Sequence, residues 1–224
     1  MDKIVLITGA SKGIGFALTK KMLNENFFVI GTSRDGKIKG IKSEKLYSIA
    51  LDLSNPESIE NAHKELIGKF KHIDILINNA GIGPDLDTLY PDKESFFKTF
   101  DVNVTGTVFF TEPIIKLIPK NGIILNISSK MGSLGECNRT DSIAYRMSKS
   151  ALNMYTKIVA NRLKNKVNVA AIHPGWVKTT IAEDNIINGL FSPEESAEKI
   201  FRFLDTNFTS GTYWDTETET ILEW

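Results

Sequence analysis

A tyrosine and a lysine stand four positions apart in the run Tyr145-Arg-Met-Ser-Lys149. Residues four apart lie on one face of a helix, so we expect the phenol and the ammonium to point the same way. A phenol with a pKa near 10 is a poor base at neutral pH, and a nearby cation lowers that pKa by stabilising the phenolate. The spacing therefore indicates a general acid–base pair. The competing interpretation is a core tyrosine beside a lysine whose stem covers apolar surface.

A pair of serines, Ser128-Ser129, follows the apolar run Gly122–Ile127. If that run is a strand, a hydroxyl at its end could meet the Tyr145 phenol. This third polar group favours the acid–base interpretation over the core tyrosine.

Three glycines, Gly9, Gly13 and Gly15, follow the first apolar run and precede a helical pattern. Glycine lets the backbone approach a pyrophosphate closely, and a helix N-terminus supplies free N–H groups. The spacing Gly-x-x-x-Gly-x-Gly differs from the general Gly-x-Gly-x-x-Gly fingerprint. A tight strand-to-helix turn could also use these glycines without a ligand. Because the loop joins a predicted strand to a predicted helix, we expect it to bind a nucleotide.

The run Thr32-Ser33-Arg34-Asp35 follows the second predicted strand and bears on cofactor preference. An acidic residue there usually binds the ribose 2′-hydroxyl of NAD, whereas arginine suits the 2′-phosphate of NADP. We expect the strand to end at Thr32 or Ser33, which places Arg34 at the ribose and Asp35 one position beyond it, in solvent. Lys12, in the glycine loop, adds a second cation that could face the same phosphate. These cations favour NADPH, although both could also be solvated surface charges.

Short apolar runs rich in β-branched residues alternate with amphipathic stretches along the chain. This pattern is typical of parallel strands covered on both faces and predicts a doubly wound α/β sheet, the Rossmann fold. Ligands of such sheets bind at the carboxyl ends of the strands. Asp52 and Asn78-Asn79-Ala80-Gly81 fall at such ends, although Asp and Asn also form turns without a ligand. The predicted strands begin at Ile4, Phe27, Leu46, Ile73, Gly122 and Val167.

Helix boundaries are marked by their own signals. A helical pattern covers Gly13–Asn24, and Asn55-Pro56-Glu57 predicts a second helix start with a capping residue and an early proline. The run Ser192-Pro-Glu-Glu195 predicts a third start with a capping box.

The composition suits one soluble domain, and we expect residues 1–224 to form a single NAD(P)-binding Rossmann-type catalytic domain. Lys+Arg and Asp+Glu both number 27, a balance that points to neither a nucleic-acid nor a membrane partner. The single cysteine, Cys137, excludes an intrachain disulfide, and no apolar run approaches membrane-spanning length. We therefore expect a cytoplasmic protein.

Taken together, the motifs resemble those of the short-chain dehydrogenase/reductase family. The matching features are TGxxxGxG, NNAG, Asn103, the serine after the fifth strand, YxxxK and Pro174-Gly175, in the family's order and over nearly the whole chain. Residues 144–153 and 173–179 and the end at Trp224 are similar to the sniffer-type carbonyl reductases and the C-factor signalling proteins.

This resemblance implies hydride transfer between NADP(H) and an aldehyde or ketone. Tyr145 would be the proton donor or acceptor, and Lys149 would lower its pKa and hold the nicotinamide ribose. Ser129 would hydrogen-bond the substrate carbonyl, and Asn103 would anchor a water relay to the lysine. Related enzymes commonly associate through the helices around Asn103 and Tyr145, so we expect a homodimer or larger assembly. The residues expected to bind NADP(H) are Gly9, Ser11, Lys12, Gly13, Ile14, Gly15, Arg34, Asp52, Leu53, Asn79, Ala80, Gly81, Tyr145, Lys149, Pro174, Gly175, Val177 and Thr179.

Two departures from the family leave the substrate open. The spacing from Ser129 to Tyr145 is longer than in most members, so we expect residues 136–142 to form an additional loop beside the substrate. The chain reaches the Ser192 helix soon after Thr179, which predicts a short substrate lid.

Two other functions remain open. A signalling or sensor protein could bind NADP(H) with little turnover, but it would not need the complete Asn–Ser–Tyr–Lys set. A reductase of carrier-bound 3-oxoacyl chains would require a basic patch for its acidic carrier, and the sequence has no dense basic cluster. We expect His173 to be structural and find no partner pattern for His63 or His72. No Cys/His cluster is present, so we expect no metal site.

Overall fold

Eight strands form one sheet in the order β3-β2-β1-β4-β5-β6-β7-β8 in the computed structural model, which describes residues 2–224. Strands β1 to β7 are parallel, and β8 is antiparallel to β7. This topology confirms the predicted doubly wound sheet. The strands are β1 (Ile4–Ile7), β2 (Phe28–Ser33), β3 (Leu46–Ala50), β4 (Ile75–Asn78), β5 (Gly122–Ile127), β6 (Val167–His173), β7 (Thr212–Asp215) and β8 (Thr220–Ile221).

Helices connect the strands and cover both faces of the sheet. They are α1 (Gly13–Asn24), α2 (Pro56–Lys69), α3 (Lys93–Phe100), α4 (Thr107–Ile114), α5 (Ile143–Arg162), α6 (Glu183–Asn188) and α7 (Pro193–Leu204). A π-helical turn, Asp101–Gly106, joins α3 to α4, and short 3₁₀ turns cover Ile115–Leu117 and Lys130–Gly132. No helix in residues 2–224 is both long enough and apolar enough to cross a membrane.

The strands divide their side chains between two cores because successive residues of a strand point to opposite faces. In β1, Leu6 packs in the core that also contains Phe110 of α4 and Val159 of α5. Its neighbours Val5 and Ile7 belong to the other core, together with the buried apolar residues of α1 and α7. Burial on both faces explains the nearly continuous apolar strands of the sequence.

The predicted helix starts are confirmed. Asn55 accepts hydrogen bonds from the N–H groups of Glu57 and Ser58 at the start of α2. Ser192 and Glu195 form the capping box at the start of α7.

Two predicted strand starts were early. The Phe27 N–H donates to Met22 O, where the chain leaves α1, and the Ile73 N–H donates to Leu117 O. The sheet therefore begins later in both strands, at Phe28 and Ile75. Strand β2 ends at Ser33, as the sequence predicted.

Candidate active site

The order of the strands reverses at β1, which has β2 on one side and β4 on the other. The carboxyl ends of β1 and β4 are joined there by Thr8, whose hydroxyl accepts from the N–H groups of Asn79 and Ala80 at 3.0 Å. A reversal of this kind leaves a crevice beyond the strand ends, which is the usual ligand site of open α/β sheets. The polar motifs of the sequence border this crevice.

The two residues of the Tyr-x-x-x-Lys motif lie in the first turns of α5. Tyr145 and Lys149 are 7% and 4% exposed, so both polar groups are buried. The Lys149 ammonium donates to the carbonyl oxygen of Ile127 at 2.9 Å and lies 5.5 Å from the centre of the Tyr145 ring. The predicted common face of the helix is therefore present, and β5 supplies an acceptor for the lysine.

Burial affects the pKa of both groups. It raises the pKa of Tyr145 to about 12, although the nearby Ser129 hydroxyl acts to lower it. Burial also lowers the pKa of Lys149 to about 8. The pKa of the phenol is therefore above its ordinary value, because loss of hydration penalises the phenolate. The lowering expected from Lys149 stays a prediction. At neutral pH the phenol keeps its proton and can donate it.

Ser129 is the second residue after β5 and caps the 3₁₀ turn Lys130–Gly132. Its Oγ accepts from the Met131 N–H at 3.2 Å, so the hydroxyl hydrogen remains available as a donor. Its carbonyl oxygen accepts a hydrogen bond from the hydroxyl of Tyr213, which is fully buried in β7. No local sequence pattern indicates this role of Tyr213, since a tyrosine in a short strand carries no such signal.

Asn103 lies in the π-helical turn, a distortion that is frequent at functional sites. Its Oδ1 accepts from Ile82 N at 2.9 Å, and its Nδ2 donates to Ile82 O at 2.8 Å and to Ser148 Oγ at 3.1 Å. Gly81 lies between this amide and Lys149: an added Cβ would be 3.3 Å from Asn103 Oδ1 and 3.6 Å from Lys149 Nζ. The amide thus holds the chain after β4 against α5, whereas the resemblance implied a relay toward the lysine.

The glycine loop has the features of an anion site. Gly9 and Gly13 have φ of +69° and +55°, in the left-handed region that favours glycine. A Cβ on Gly15 would lie 2.3 Å from Gly9 O, so no other residue fits there. Lys12, the N-cap of α1, provides no side-chain cap, which leaves N–H groups of the first turn for a bound group. The loop therefore fits the pyrophosphate of a dinucleotide.

After β2, the Arg34 guanidinium is exposed, whereas the Asp35 carboxylate is hydrogen-bonded within its own turn. Arg34 is the first residue after the strand and is exposed. The Asp35 carboxylate accepts from Lys37 N at 3.1 Å and from Ser33 Oγ at 3.0 Å, and these hydrogen bonds lower its pKa. Asp35 is exposed, as expected, and its carboxylate is also hydrogen-bonded within its own turn.

Lys12 takes a different direction from the one expected. Its ammonium donates to Thr180 Oγ1 at 3.1 Å, in the segment after β6, whereas the sequence analysis placed it beside the same phosphate as Arg34.

Asp52, after β3, accepts hydrogen bonds from the hydroxyl and N–H of Ser54 at 2.7 and 2.9 Å. The pKa of Asp52 is lowered by Ser54, and also by the charge of Arg34, which therefore lies near it. Leu53, the next residue, is buried.

The segment after β6 packs against the glycine loop. A Cβ on Gly13 would lie 3.4 Å from Thr179 Cγ2. Within the segment, the buried Val177 near its start forms a β-bridge with Phe191 near its end. Gly175, after Pro174, has φ of +84° and lies under the Phe191 ring. The predicted short lid contains a helix that the sequence analysis did not identify, α6.

Residues 136–142 form a loop, and salt bridges fix its end. Residues 136–140 are exposed, whereas Asp141 is buried between Arg139 and Arg146. Arg146, on α5, donates to Asp141 Oδ1 at 2.8 Å, which lowers the pKa of that carboxyl. The loop thus adjoins the N-terminus of the helix that carries Tyr145.

A residue that the sequence analysis missed caps this helix. Asp85, 2% exposed, accepts hydrogen bonds from Ala144 N at 2.7 Å and from Tyr145 N at 3.1 Å. The N-cap residue itself, Ser142, has φ of +58° and offers no side-chain cap to α5. The cap therefore comes from the segment after β4.

The histidines have partners that the sequence did not indicate. His63 stacks on Phe110 and its Nε2 lies 2.9 Å from Phe110 O. His173 Nε2 lies 3.7 Å from Glu217 Oε2, and Asp215 completes a group whose potential ligand atoms lie within 4.8 Å of one another. The pKa of Glu217 is lowered by His173 and further by Lys130 and Lys199. Two ammonium groups thus lie near the Glu217 carboxylate, and the expectation of no metal site stays a prediction.

A doubly wound sheet with a glycine loop before α1 and a serine, tyrosine and lysine at its carboxyl edge defines a nicotinamide-dependent oxidoreductase. A model of the short-chain dehydrogenase family matches residues 3–188. The chain belongs to that family.

Two relatives match most of the chain. Farnesol dehydrogenase of Aedes aegypti is 30% identical over 222 residues, which cover 91% of this chain and 90% of the relative. The 3-oxoacyl-acyl-carrier-protein reductase of Aquifex aeolicus is 30% identical over 230 residues, covering 93% and 92%.

Solved structures agree on the fold. The carbonyl reductase Sniffer of D. melanogaster superposes with a TM-score of 0.87 at 24% identity, with full coverage of both chains. NADPH-bound carbonyl reductase from chicken fatty liver gives 0.86 at 25% identity, covering 100% of this chain and 94% of that one. The 3-ketoacyl-carrier reductase of Brucella melitensis with NADH gives 0.79 at 26%, covering 95% and 96%.

Proposed function

We propose that the protein is an NADPH-dependent carbonyl reductase, with residues 1–224 acting as one catalytic domain on an aldehyde or ketone. The observation that carries this proposal is the arrangement of Tyr145, Lys149 and Ser129 at the carboxyl edge of β5. A buried phenol that holds its proton at neutral pH suits the protonation of a carbonyl oxygen as hydride arrives at the carbon.

Each residue has a definite task in this proposal. NADPH supplies the hydride when bound. Ser129 donates its hydroxyl hydrogen to the substrate carbonyl oxygen and so holds it beside the Tyr145 phenol, which transfers its proton to that oxygen. Lys149 binds the nicotinamide ribose and returns a proton to the phenolate; its pKa of about 8 leaves it mostly charged at neutral pH. Asn103 fixes the segment that faces this ribose through its hydrogen bonds to Ile82.

The preference for NADP(H) depends on Arg34. Its guanidinium is exposed directly after β2, where it can bind a 2′-phosphate through paired, charge-assisted hydrogen bonds. The neighbouring Asp35 is occupied by Ser33 and Lys37 and so does not compete for the ribose. The NADPH-bound chicken enzyme agrees with this assignment, whereas the Brucella reductase was solved with NADH.

The reaction can be tested with a panel of aldehydes, ketones and quinones, followed by the loss of NADPH absorbance. Turnover of at least one carbonyl class that Tyr145→Phe abolishes would support the proposal. Tight NADPH binding with no turnover across the panel would instead favour the sensor function.

A second candidate is the reduction of carrier-bound 3-oxoacyl chains, which the similarity to the Aquifex reductase over 93% of the chain favours. The two candidates differ in the group attached to the substrate. Comparing a 3-oxoacyl chain on acyl carrier protein with the same chain as a small thioester separates them, since only a carrier reductase gains from the protein part.

We also propose a homodimer or larger assembly formed through α4 and α5. Large apolar side chains are exposed on these helices, with Phe109 65%, Met154 63% and Ile158 53% exposed. Exposed apolar patches commonly mark protein interfaces. The one cysteine, Cys137, is free and exposed, which suits a reducing compartment, and we propose a cytoplasmic location.

A further inference from the structure

The N-terminus of α5 is tied to the segment after β4, residues 79–88, by a set of hydrogen bonds. The Asp85 carboxylate accepts from the N–H groups of Ala144 and Tyr145, with Oδ2 at 2.7 and 3.1 Å. Ser142 adds two more contacts: its Oγ accepts from Asp87 N at 3.0 Å, and its N–H donates to Thr88 O at 2.9 Å. The first turn of the helix is thus held from outside the helix.

This external cap is needed because α5 lacks an internal one. Ser142 occupies the N-cap in a left-handed conformation, and its hydroxyl is used by Asp87. The N–H groups of Ala144 and Tyr145 are buried, and a buried donor without a partner is strongly unfavourable. Asp85 satisfies both, and a carboxylate is also favoured at the positive end of a helix.

The same segment contacts the other parts of the site along its length. At its start, Asn79 Nδ2 donates to the carbonyl oxygens of Thr8 and Gly9 in the glycine loop. In the middle, Ile82 is held by Asn103. Gly83 then lies against the catalytic ring, since an added Cβ would be 3.0 Å from Tyr145 Cδ2. A shift of Asp85 would therefore move the phenol relative to the cofactor loop.

We propose that Asp85 is the positioning residue for Tyr145, fixing the phenol-bearing turn of α5 against residues 79–88 and adding a negative charge beside it. This inference rests on the proposed carbonyl reductase chemistry. The charge has a defined consequence, because Asp85 disfavours the phenolate and is one of the causes that raise the pKa of Tyr145. Burial is the largest cause, the Ser129 hydroxyl lowers the pKa and Tyr213 also raises it, so the effect of Asp85 is an increment upon these.

Two substitutions separate the cap from the charge. Asp85→Asn keeps an oxygen acceptor and removes the charge, whereas Asp85→Ala removes both. We expect kcat to fall at least about tenfold in Asp85→Ala, the order expected when a charge-assisted hydrogen bond is lost, and to recover partly in Asp85→Asn. KM for NADPH should change little in either variant. The phenol of Tyr145 should titrate at lower pH in both, since both lack the charge.

The phenol titration can be measured without turnover, as the ultraviolet phenolate signal of each protein minus that of the same protein carrying Tyr145→Phe. Asp87→Asn is the matched control, because Asp87 is exposed, lies two residues away and gives α5 only its backbone N–H. Its left-handed backbone, φ +66°, also tolerates asparagine. We expect this control to keep both the kcat and the titration midpoint of the wild type.

The outcomes are distinguishable from those of the proposed function. A titration midpoint and kcat in Asp85→Asn and Asp85→Ala equal to wild type would overturn the positioning role. An equal shift in Asp87→Asn would do the same, because the charge effect would then not be specific to Asp85. If wild type turns over no carbonyl while the midpoint still shifts only in the Asp85 variants, the reductase function fails and the link between Asp85 and Tyr145 stands.

Discussion

The ammonium nitrogen of Lys149 lies 5.5 Å from the centre of the Tyr145 ring and donates to the carbonyl oxygen of Ile127 at 2.9 Å. The lysine is thus anchored by the last residue of β5 and not by the phenol hydroxyl. Its charge lies beneath the ring, where it can stabilise negative charge that develops as the phenol gives up its proton.

Replacing Tyr145 with phenylalanine keeps the ring and removes the acidic proton. We expect turnover to fall by about 10²–10⁴, the range for loss of a general acid, while NADPH binding is retained. Steady-state kinetics and a fluorescence titration with NADPH measure the two effects. Near-normal turnover in the variant would contradict the assignment of the proton donor.

Lys149 should make stability depend on pH. Its folded pKa of about 8 lies below the ordinary 10.5, so the unfolded chain binds more protons between these values. Stability therefore rises with pH across this window, by up to about 1.4 kcal/mol per pH unit. Denaturant unfolding at pH 7 to 10 should show the rise in wild type and a smaller one in Lys149→Met. Identical slopes would show that the lysine is not held in the buried state.

Tyr145 and Tyr213 should make the stability of the folded protein fall at higher pH, opposite to the effect of Lys149. Burial raises the pKa of each to about 12, so the folded protein keeps protons that the unfolded chain loses from about pH 10. Stability should consequently fall as pH rises from 10 to 12. Tyr145→Phe should reduce this fall, which unfolding of the variant over the same range would measure.

Tyr213→Phe removes the donor to the Ser129 carbonyl oxygen. A buried acceptor left without its partner costs about 1–3 kcal/mol, and we expect the free energy of unfolding to fall by this amount. Turnover should fall as well, because Ser129 would lose a contact that fixes its backbone. Tyr47→Phe is the control, since the Tyr47 hydroxyl donates to the exposed Glu65 and not to Ser129. Equal unfolding midpoints of wild type and Tyr213→Phe would refute the supporting role of Tyr213.

Wild type should prefer NADPH to NADH by at least about tenfold in kcat/KM, since a hydrogen bond to a charged group is worth about 1.5–3 kcal/mol. Arg34→Ala should erase most of this preference, mainly through weaker use of NADPH. Lys12→Ala should erase less, because Lys12 is directed toward Thr180. Asp35→Ala should change little, because its carboxylate is bonded within its own turn. A wild type that favours NADH, with the choice lost in Asp35→Ala, would reject the cofactor assignment and leave the tyrosine chemistry intact.

Local patterns in the sequence were sufficient to predict the doubly wound sheet, six of its eight strands and the helices α1, α2, α5 and α7, but not β7, β8 or α6. Apolar runs report burial on both faces, and the helix starts at Asn55 and Ser192 depend on residues only two or three positions apart. The Tyr145–Lys149 pair is predictable for the same reason, since four residues of helix set its geometry. The end of β2 at Ser33 followed from its flanking polar residues.

Other features depend on contacts between distant parts of the chain. Asp85 caps a helix 59 positions away, and Tyr213 supports Ser129 from 84 positions away, so no local pattern indicates either role. The pKa of Tyr145 could not be judged from its spacing to Lys149, because the cost of removing the phenolate from water depends on everything packed around it. Local sequence patterns thus identify the serine, tyrosine, lysine and glycines at the carboxyl edge of the sheet. The partners that hold these groups and the protonation states they favour depend on the folded chain, since burial and long-range hydrogen bonds arise only when the elements pack.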